Sequence, residues 1–259
     1  MTIPVVFSTG SLYSFGLDRI FGWISEAGYD GAEVMMDDRW DTHQEDYLRE
    51  LSEKHGVRIM ALHPPIFEGV WRLSAGETLV RVARLAKALN IPTVVAHPPR
   101  PGKLREWREG PLREAREEGV TVAVENMPKS GPRGFLGLGG QGSSHSPEHF
   151  DGMGEIAFDT SHVAASRLDL MDTYSKLSER LRHVHLSDSD LSGGDQHKFP
   201  GKGRLPLRPF LAALAEDDYP GIVSLELKPF QTGAPDPAKV LNRMREALSY
   251  TRRGLGARP

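Results

Sequence analysis

Histidine, aspartate and glutamate recur at the ends of short hydrophobic runs along the whole chain. The set comprises His63 in LHPP, His97 in VAHPP, Glu125 in VAVENMP, Asp159 and His162 in FDTSH, His185 in HVHLSDS and Glu226 in LELKP. Imidazole and carboxylate without thiolate suit Zn²⁺, Mn²⁺, iron or cobalt, whereas calcium and magnesium prefer oxygen ligands alone. Any single member could be structural, but burying several unpaired charges together would be costly. The set therefore predicts a shared metal site, for which Zn²⁺ or Mn²⁺ is the expected ion.

The elements that carry these residues form one repeating pattern. Short β-branched runs, which predict strands, alternate with longer amphipathic segments, which predict helices. The predicted strands lie at 4–9, 31–36, 58–63, 93–97, 121–126, 155–160, 182–187 and 221–227. Eight strands with helices between them favour the α/β class, as a single (β/α)8 TIM barrel that takes up residues 1–259 as one domain. An open doubly wound sheet is the alternative, but no glycine-rich phosphate loop follows the first strand.

A barrel would explain why the candidate ligands follow strands. The carboxyl ends of parallel barrel strands open at one mouth, where the active sites of TIM barrels lie. Two long loops rich in Gly, Ser and Pro, near 127–150 and 188–205, also follow strands and should belong to that face. Within the second loop, Asp188 and Asp190 are expected to be solvated acids.

The stretch HVHLSDSDLSGGDQHKFPGKGRL, residues 183–205, is unusually dense in ligands and turn-formers. His183 and His185 are two residues apart on a predicted strand, so both should face the barrel interior. We expect His185, at the rim, to bind the metal, and His183, one layer deeper, to form a hydrogen bond beside it. Glycines would allow the loop to fold Asp195 and His197 back over the site.

Together with Asp195 and His197 in DQHKFPGKG, these motifs resemble the xylose isomerase-like barrel superfamily over about residues 5–230. That superfamily joins sugar and sugar phosphate isomerases and epimerases with apurinic/apyrimidinic endonuclease IV. The ligands of the single metal in the isomerase and epimerase branch match Glu125, Asp159, His185 and Glu226. The positions that complete a three-zinc cluster in the endonuclease branch match His63, His97, His162, Asp195 and His197. The resemblance thus implies one to three divalent ions per chain.

Three positions depart from the endonuclease signature. Ser161 stands where that branch has cysteine, Ser187 where it has asparagine, and Asp190 where it has lysine. The chain is also short for that branch and leaves little room for insertions that grip DNA. These departures favour the isomerase and epimerase branch.

The resemblance implies a divalent-metal-dependent sugar or sugar phosphate isomerase or epimerase that acts through an enediolate. Its substrate would be a small polyhydroxy carbonyl compound. Glu125 and Glu226 are the candidates for exchanging the proton, and His162 is the candidate for polarising the substrate oxygen. The candidate substrate-binding residues are Glu33, Lys228 and His183.

Two alternatives stay open. The first is a multi-zinc phosphodiesterase or apurinic/apyrimidinic endonuclease, in which Glu125 would bridge two metals and nucleic acid would be the partner. Residues that could hold its phosphates or stack on its bases are Arg100, Lys103, Arg105, Lys198, Lys202, Arg204, Trp40, Phe67, Trp71 and Trp107. The second is a metal-dependent sugar-binding barrel without catalysis.

The composition and the N-terminal sequence limit the possible ligands and cellular locations of the protein. The chain has 259 residues, a formal net charge of −3 and no cysteine, so it has no overall basic field and no thiolate ligands or disulfides. Its N-terminal MTIPVVFSTG lacks the pattern of a signal peptide, and no apolar run approaches the length of a membrane span. We expect a cytoplasmic protein without a membrane partner, and an oligomer is compatible with the sequence.

Overall fold

Eight parallel strands close into a barrel in the order in which they occur along the chain. The computed structural model describes residues 2–66, 69–99, 101–129 and 145–256. The strands are β1 Val5–Ser8, β2 Gly31–Met35, β3 Ile59–His63, β4 Thr93–Ala96, β5 Thr121–Glu125, β6 Ile156–Asp159, β7 Leu181–Leu186 and β8 Ile222–Leu225. Pairing of β8 with β1, in which Val223 lies opposite Val5, completes the circle. The predicted (β/α)8 TIM barrel is confirmed, and every strand lies within two residues of its predicted bounds.

Helices on the outside follow the strands, and all but the last of them lie between two strands in the sequence. They are α1 Leu17–Ala27, α2 Glu45–His55, α3 Ala75–Ala88, α4 Leu104–Trp107, α5 Arg113–Glu117, α6 Thr160–Ala165, α7 Leu170–Leu177, α8 Leu207–Glu216 and α9 Pro237–Gly254. Gly28 and Gly56 end α1 and α2 in the left-handed conformation, with φ of 84° and 63°, which a residue with a Cβ adopts only at a cost. Across the described ranges, none of these helices has both the length and the apolar character that crossing a bilayer requires.

The barrel interior changes from apolar to polar towards the mouth. Alternate strand residues point inward. Towards the amino ends of the strands lie two small buried clusters, Val6 with Met60, Ala61 and Ile222, and Val95 with Ala123 and Ala157. Nearer the carboxyl ends, the buried interior positions are polar, among them Glu33, Glu125, Asp159, His183 and His185. The strand residues between them, such as Val124 and Phe158, face outward into the main hydrophobic core. The barrel interior therefore has an apolar layer below and a polar layer at the mouth.

The two long loops differ in how much of them the structure describes. The loop 188–205 is described throughout, and Asp188 and Lys198 form an antiparallel bridge across it. Residues 130–144 of the other predicted loop lie outside the described residues, as do Phe67 and Arg100.

Candidate metal centre

The predicted ligands lie together at the carboxyl ends of the strands. His63, Glu125 and Asp159 are the last residues of β3, β5 and β6, and His185 is the last but one of β7. His97 and Glu226 follow β4 and β8 by one residue. Their ligand atoms, with those of His162 and His197, fall into groups whose members all lie within 4.8 Å of one another. We name three of these groups below as the central site, the histidine-pair site and the loop site.

The central site consists of Glu125, Asp159, His185 and Glu226. His185 Nδ1 lies 3.0 Å from Glu125 Oε1, 3.0 Å from Glu226 Oε2 and 3.7 Å from Asp159 Oδ2. One imidazole nitrogen and three carboxylates thus converge from four strands of the barrel. This is the donor set that the resemblance assigned to a single metal.

The histidine-pair site consists of His63, His97 and Glu125. His97 Nε2 lies 2.7 Å from Glu125 Oε2 and 3.1 Å from His63 Nε2. His63 Nε2 is 3.8 Å from the same carboxylate oxygen. Glu125 therefore faces the central site with Oε1 and this site with Oε2, so its carboxylate could bridge two metals.

The loop site consists of Asp159, His162, Asp195 and His197. Asp159, His162 and His197 form one of the close groups, and Asp195 Oδ2 lies 2.9 Å from His197 Nε2 and 3.7 Å from His162 Nε2. Asp195 and His197 come from the loop after β7, which folds back over the barrel as expected. Asp159 is shared with the central site.

A divalent cation fits each of the three sites. Glu125 Oε2, Asp159 Oδ2 and Asp195 Oδ2 are buried, and within the described residues none of them accepts a hydrogen bond. His97 and His197 lie at ion-pair distance from two of these oxygens without the alignment of a hydrogen bond. A buried carboxylate oxygen without a donor is costly, and a metal ion would compensate it. The mixture of imidazole and carboxylate suits Zn²⁺ or Mn²⁺.

Backbone carbonyls orient three of the candidate histidines. His63 Nδ1 lies 2.7 Å from Pro64 O, His162 Nδ1 2.8 Å from Asn126 O, and His197 Nδ1 3.1 Å from Glu226 O. A carbonyl can only accept, so each Nδ1 carries a proton, and Nε2 is the nitrogen that a metal ion would bind in place of a second proton. These side chains are therefore set for metal binding before any ion arrives.

The loop 188–205 is built around Asp188, and the expectation that this residue is a solvated acid is wrong. Its side chain is buried, and its carboxylate accepts hydrogen bonds from the backbone amides of Ser189, Gly201, Gly203 and Leu205 at 2.8 to 3.1 Å. A Cβ at position 203 would lie 2.2 Å from Asp188 Oδ1, so the loop needs glycine there. Alternating patterns do not reveal such an anchor, because it depends on how the loop closes.

Asp190 and Lys228 also have defined partners. Asp190 is paired with Lys198 at the loop surface, which lowers the pKa of its carboxyl. The Lys228 ammonium donates to the backbone carbonyl of Asp195. Lys228 remains exposed.

Carboxylates around His162 and His185 favour the charged forms of these two histidines, whereas burial lowers the pKa of His97 and His183. Burial alone would lower the pKa of His162, but Asp159 and Asp195 outweigh it and raise the pKa of His162 to about 10. Burial also opposes the charged form of His185, yet Glu226 and other carboxylates raise its pKa well above the usual range. Protons on histidines therefore balance the carboxylates in the metal-free protein, and a metal ion would replace those protons.

The two candidate proton-transfer residues have different environments. Burial raises the pKa of Glu226, and His185 offsets this only in part. Burial acts in the same direction on Glu125, but His185 and His97 overcome it and hold the pKa of Glu125 well below its usual range. Paired carboxyl groups whose pKa values are pushed apart are typical of acid–base sites.

The remaining candidates occupy different surroundings. Glu33 and His183 are fully buried beneath His185. Trp107 is buried, the Trp71 indole donates to Asp37 O, and Trp40 is exposed. Among the predicted phosphate-holding residues, Lys103, Arg105, Lys202 and Arg204 are exposed.

The sequence matches known proteins over most of its length. The model of the xylose isomerase-like TIM barrel family covers residues 21–248. An uncharacterized protein of Mycobacterium tuberculosis (strain ATCC 25618 / H37Rv) is 31% identical over 250 residues, which cover 87% of this chain and 89% of that protein. The fructoselysine 3-epimerase of Escherichia coli O157:H7 is 38% identical over 58 residues, which are 22% of this chain and 21% of that enzyme.

Solved structures share the fold. A D-tagatose 3-epimerase-like protein superposes with a TM-score of 0.74 at 19% identity and 98% coverage of both chains. AP endonuclease, family 2 from Brucella melitensis gives a TM-score of 0.73 at 16% identity, with 96% of this chain and 99% of that chain covered. At such identities the structures show the fold alone. The family match and the mycobacterial relative show more: this chain belongs to the xylose isomerase-like TIM barrel family.

Proposed function

We propose that the protein is a divalent-metal-dependent isomerase or epimerase of a sugar or sugar phosphate. The observation that carries the proposal is the central site, where two glutamates and an aspartate surround Nδ1 of His185 at the barrel mouth. Names among its relatives and structural neighbours, fructoselysine 3-epimerase and D-tagatose 3-epimerase-like protein, point to the same chemistry. The substrate would be a small polyhydroxy carbonyl compound.

The proposed reaction moves a proton beside the substrate carbonyl. A divalent cation held by Glu125, Asp159, His185 and Glu226 would supply positive charge that makes this C–H proton easier to remove. Glu226 is the better placed base, because its side chain is 16% exposed whereas that of Glu125 is 1% exposed. Loss of the proton leaves an enediolate, whose oxygen His162 would polarise.

Two outcomes differ in where the proton returns. In an isomerase, Glu226 would return it to the neighbouring carbon. In an epimerase, Glu125 would take up a proton from solvent and deliver it to the opposite face of the original carbon, and Glu226 would release its proton to solvent. An epimerase gives the carbon a proton that came from solvent, and in an isomerase the proton on Glu226 can exchange with solvent before it returns. Solvent deuterium is therefore expected in the sugar in both cases, fully in the first and in part in the second.

The test is turnover of a panel of ketoses and their phosphates in deuterated water, with metal content measured on the same samples. We expect epimerised or isomerised product carrying deuterium, loss of turnover after chelation, and recovery with Zn²⁺ or Mn²⁺. A protein that holds metal in the central site but neither converts nor deuterates any sugar of the panel would contradict the proposal.

A second candidate, a multi-zinc phosphodiesterase or apurinic/apyrimidinic endonuclease, is favoured by the two additional sites. Three ions would generate a hydroxide and stabilise both oxygens of the displacement. Replacing Asp195 and His197 together with alanine separates the candidates, because the central site contains neither residue. Cleavage of abasic DNA by the parent that vanishes in the double variant supports the hydrolase, whereas sugar turnover that persists supports the isomerase or epimerase.

A further inference from the structure

His185 is oriented differently from the other candidate ligands of the centre. His63, His162 and His197 donate from Nδ1 to backbone carbonyls. Nε2 of His63 is turned towards Glu125, and Nε2 of His162 and of His197 is turned towards Asp195. His185 faces the central site with Nδ1 instead. Its second nitrogen, Nε2, lies 3.2 Å from Glu33 Oε2. A carboxylate therefore takes the place of the backbone carbonyl.

Glu33 lies inside the barrel, on β2, and has no exposed surface. Its Oε2 also lies 2.6 Å from His183 Nε2, at ion-pair distance but without the alignment of a hydrogen bond. The rings of His183 and His185 meet edge to face with centroids 4.7 Å apart. Among the described residues, no lysine or arginine forms an ion pair with Glu33. The buried carboxylate thus depends on the two imidazoles beside it.

A carboxylate on the second nitrogen changes how an imidazole binds a metal. It holds the proton on Nε2, so that Nδ1 keeps its lone pair, and it fixes the plane of the ring. Because the acceptor is charged, it also makes Nδ1 a stronger donor than a carbonyl acceptor would. The central site contains only one histidine, so this effect acts on its single nitrogen ligand.

We propose that Glu33 is a positioning residue that sets the affinity of the central site through His185, and that His183 holds Glu33 in place. Glu33 then has no direct contact with substrate. The proposal rests on the proposed function only in requiring that the central site binds a divalent metal.

The test measures Zn²⁺ affinity and stoichiometry, by competition with a fluorescent chelator, in the parent and in Glu33→Ala and Glu33→Gln. In Glu33→Ala we expect one Zn²⁺, that of the central site, to bind about 10–100-fold more weakly, with the remaining ions unaffected. Glu33→Gln keeps an oxygen that accepts from Nε2, so its loss should be smaller. Ser224→Ala is the matched control, because it removes a buried hydroxyl that has no hydrogen-bond partner in the described structure, next to His185 in the strand register.

The visible spectrum of bound Co²⁺ gives a second readout. A change in the ligand field of the central ion is expected in Glu33→Ala and should be largely reversed in Glu33→Gln. Equal affinity in all variants would overturn the proposal, as would a uniform weakening of every ion together with a lower melting temperature of the metal-free protein. If Glu33→Ala does not fold, the proposal is decided by the isosteric Glu33→Gln alone, through the affinity of its central site for Zn²⁺ relative to the parent. A parent that binds no ion centrally would overturn the proposed function itself.

Discussion

The hydroxyl of Ser161 donates to Asp195 Oδ1 at 2.6 Å and accepts from the backbone amides of Gln196 and His197 at 3.0 and 3.1 Å. One buried side chain at the start of α6 thus holds both ligands that the loop contributes to the loop site. Serine suits this role better than the cysteine expected by resemblance to the endonuclease branch, because a thiol is a weak donor and acceptor.

We predict that Ser161→Ala weakens metal binding at the loop site by about 10–100-fold and leaves the central site intact. Asp195 and His197 would lose the contact that holds them over the barrel. The measurement is Zn²⁺ stoichiometry after dialysis against a buffered free-metal series. Ser166→Ala is the control, since Ser166 lies next to α6 and its hydroxyl accepts from Lys129 N. Its backbone amide donates to His162 O, a contact that alanine keeps. Full occupancy of every ion in Ser161→Ala would refute this role.

Asp188→Ala should destabilise the folded protein by roughly 3 kcal/mol, because buried backbone amides lose a charged acceptor. Urea unfolding of the metal-free protein measures the loss. Asp190→Asn is the comparison, since Asp190 lies at the surface of the same loop, and its effect should be much smaller. Similar unfolding midpoints for the two variants would show that Asp188 does not anchor the loop.

Glu226→Gln should keep the fold and reduce sugar turnover by about 10²-fold or more, because an amide is a poor metal ligand and cannot act as a base. The melting temperature checks the fold, and the rate of solvent deuterium incorporation checks the proton transfer. Exchange at the parental rate with full metal occupancy would remove Glu226 from the reaction.

Stability should depend on pH in opposite ways with and without metal. Folding raises the pKa of His162 to about 10, so its protonation stabilises the metal-free protein at low pH, and this stabilisation fades as pH rises towards that value. The raised pKa values of His185, His197 and Glu226 act in the same direction. The metal-free protein should therefore melt at lower temperature as pH rises from about 7 to about 9.

Zn²⁺ should reverse this trend, because it binds neutral imidazole and no longer competes with protons at high pH. Melting curves with and without Zn²⁺ across this range test both signs. A melting temperature of the metal-free protein that rises with pH, or a stabilisation by Zn²⁺ that shrinks with pH, would contradict the prediction.

Regular periodicity made the fold and the strand-borne ligands predictable. His63, Glu125, Asp159 and His185 each end or nearly end a β-branched run, and parallel strands of a barrel bring such ends together. The contacts of Asp188 and the orientation of the imidazoles were not predictable from the sequence. The contacts of Asp188 depend on the path by which its loop folds back, and the orientation of an imidazole depends on which ring nitrogen faces which neighbour. The spacing of residues in the sequence indicates neither.

The source of each imidazole's orientation has a consequence for how the centre tolerates genetic change. His63, His162 and His197 rely on the main-chain oxygens of Pro64, Asn126 and Glu226. Every amino acid carries that oxygen, so mutation at these three positions leaves the acceptor itself in the chain. His185 relies on a side chain, and a single codon change at position 33 removes its acceptor. Random mutation at the three acceptor positions would therefore leave the orientation of His63, His162 and His197 unchanged. A single mutation at position 33 would instead change the metal affinity of the central site, so selection can adjust that affinity in one step.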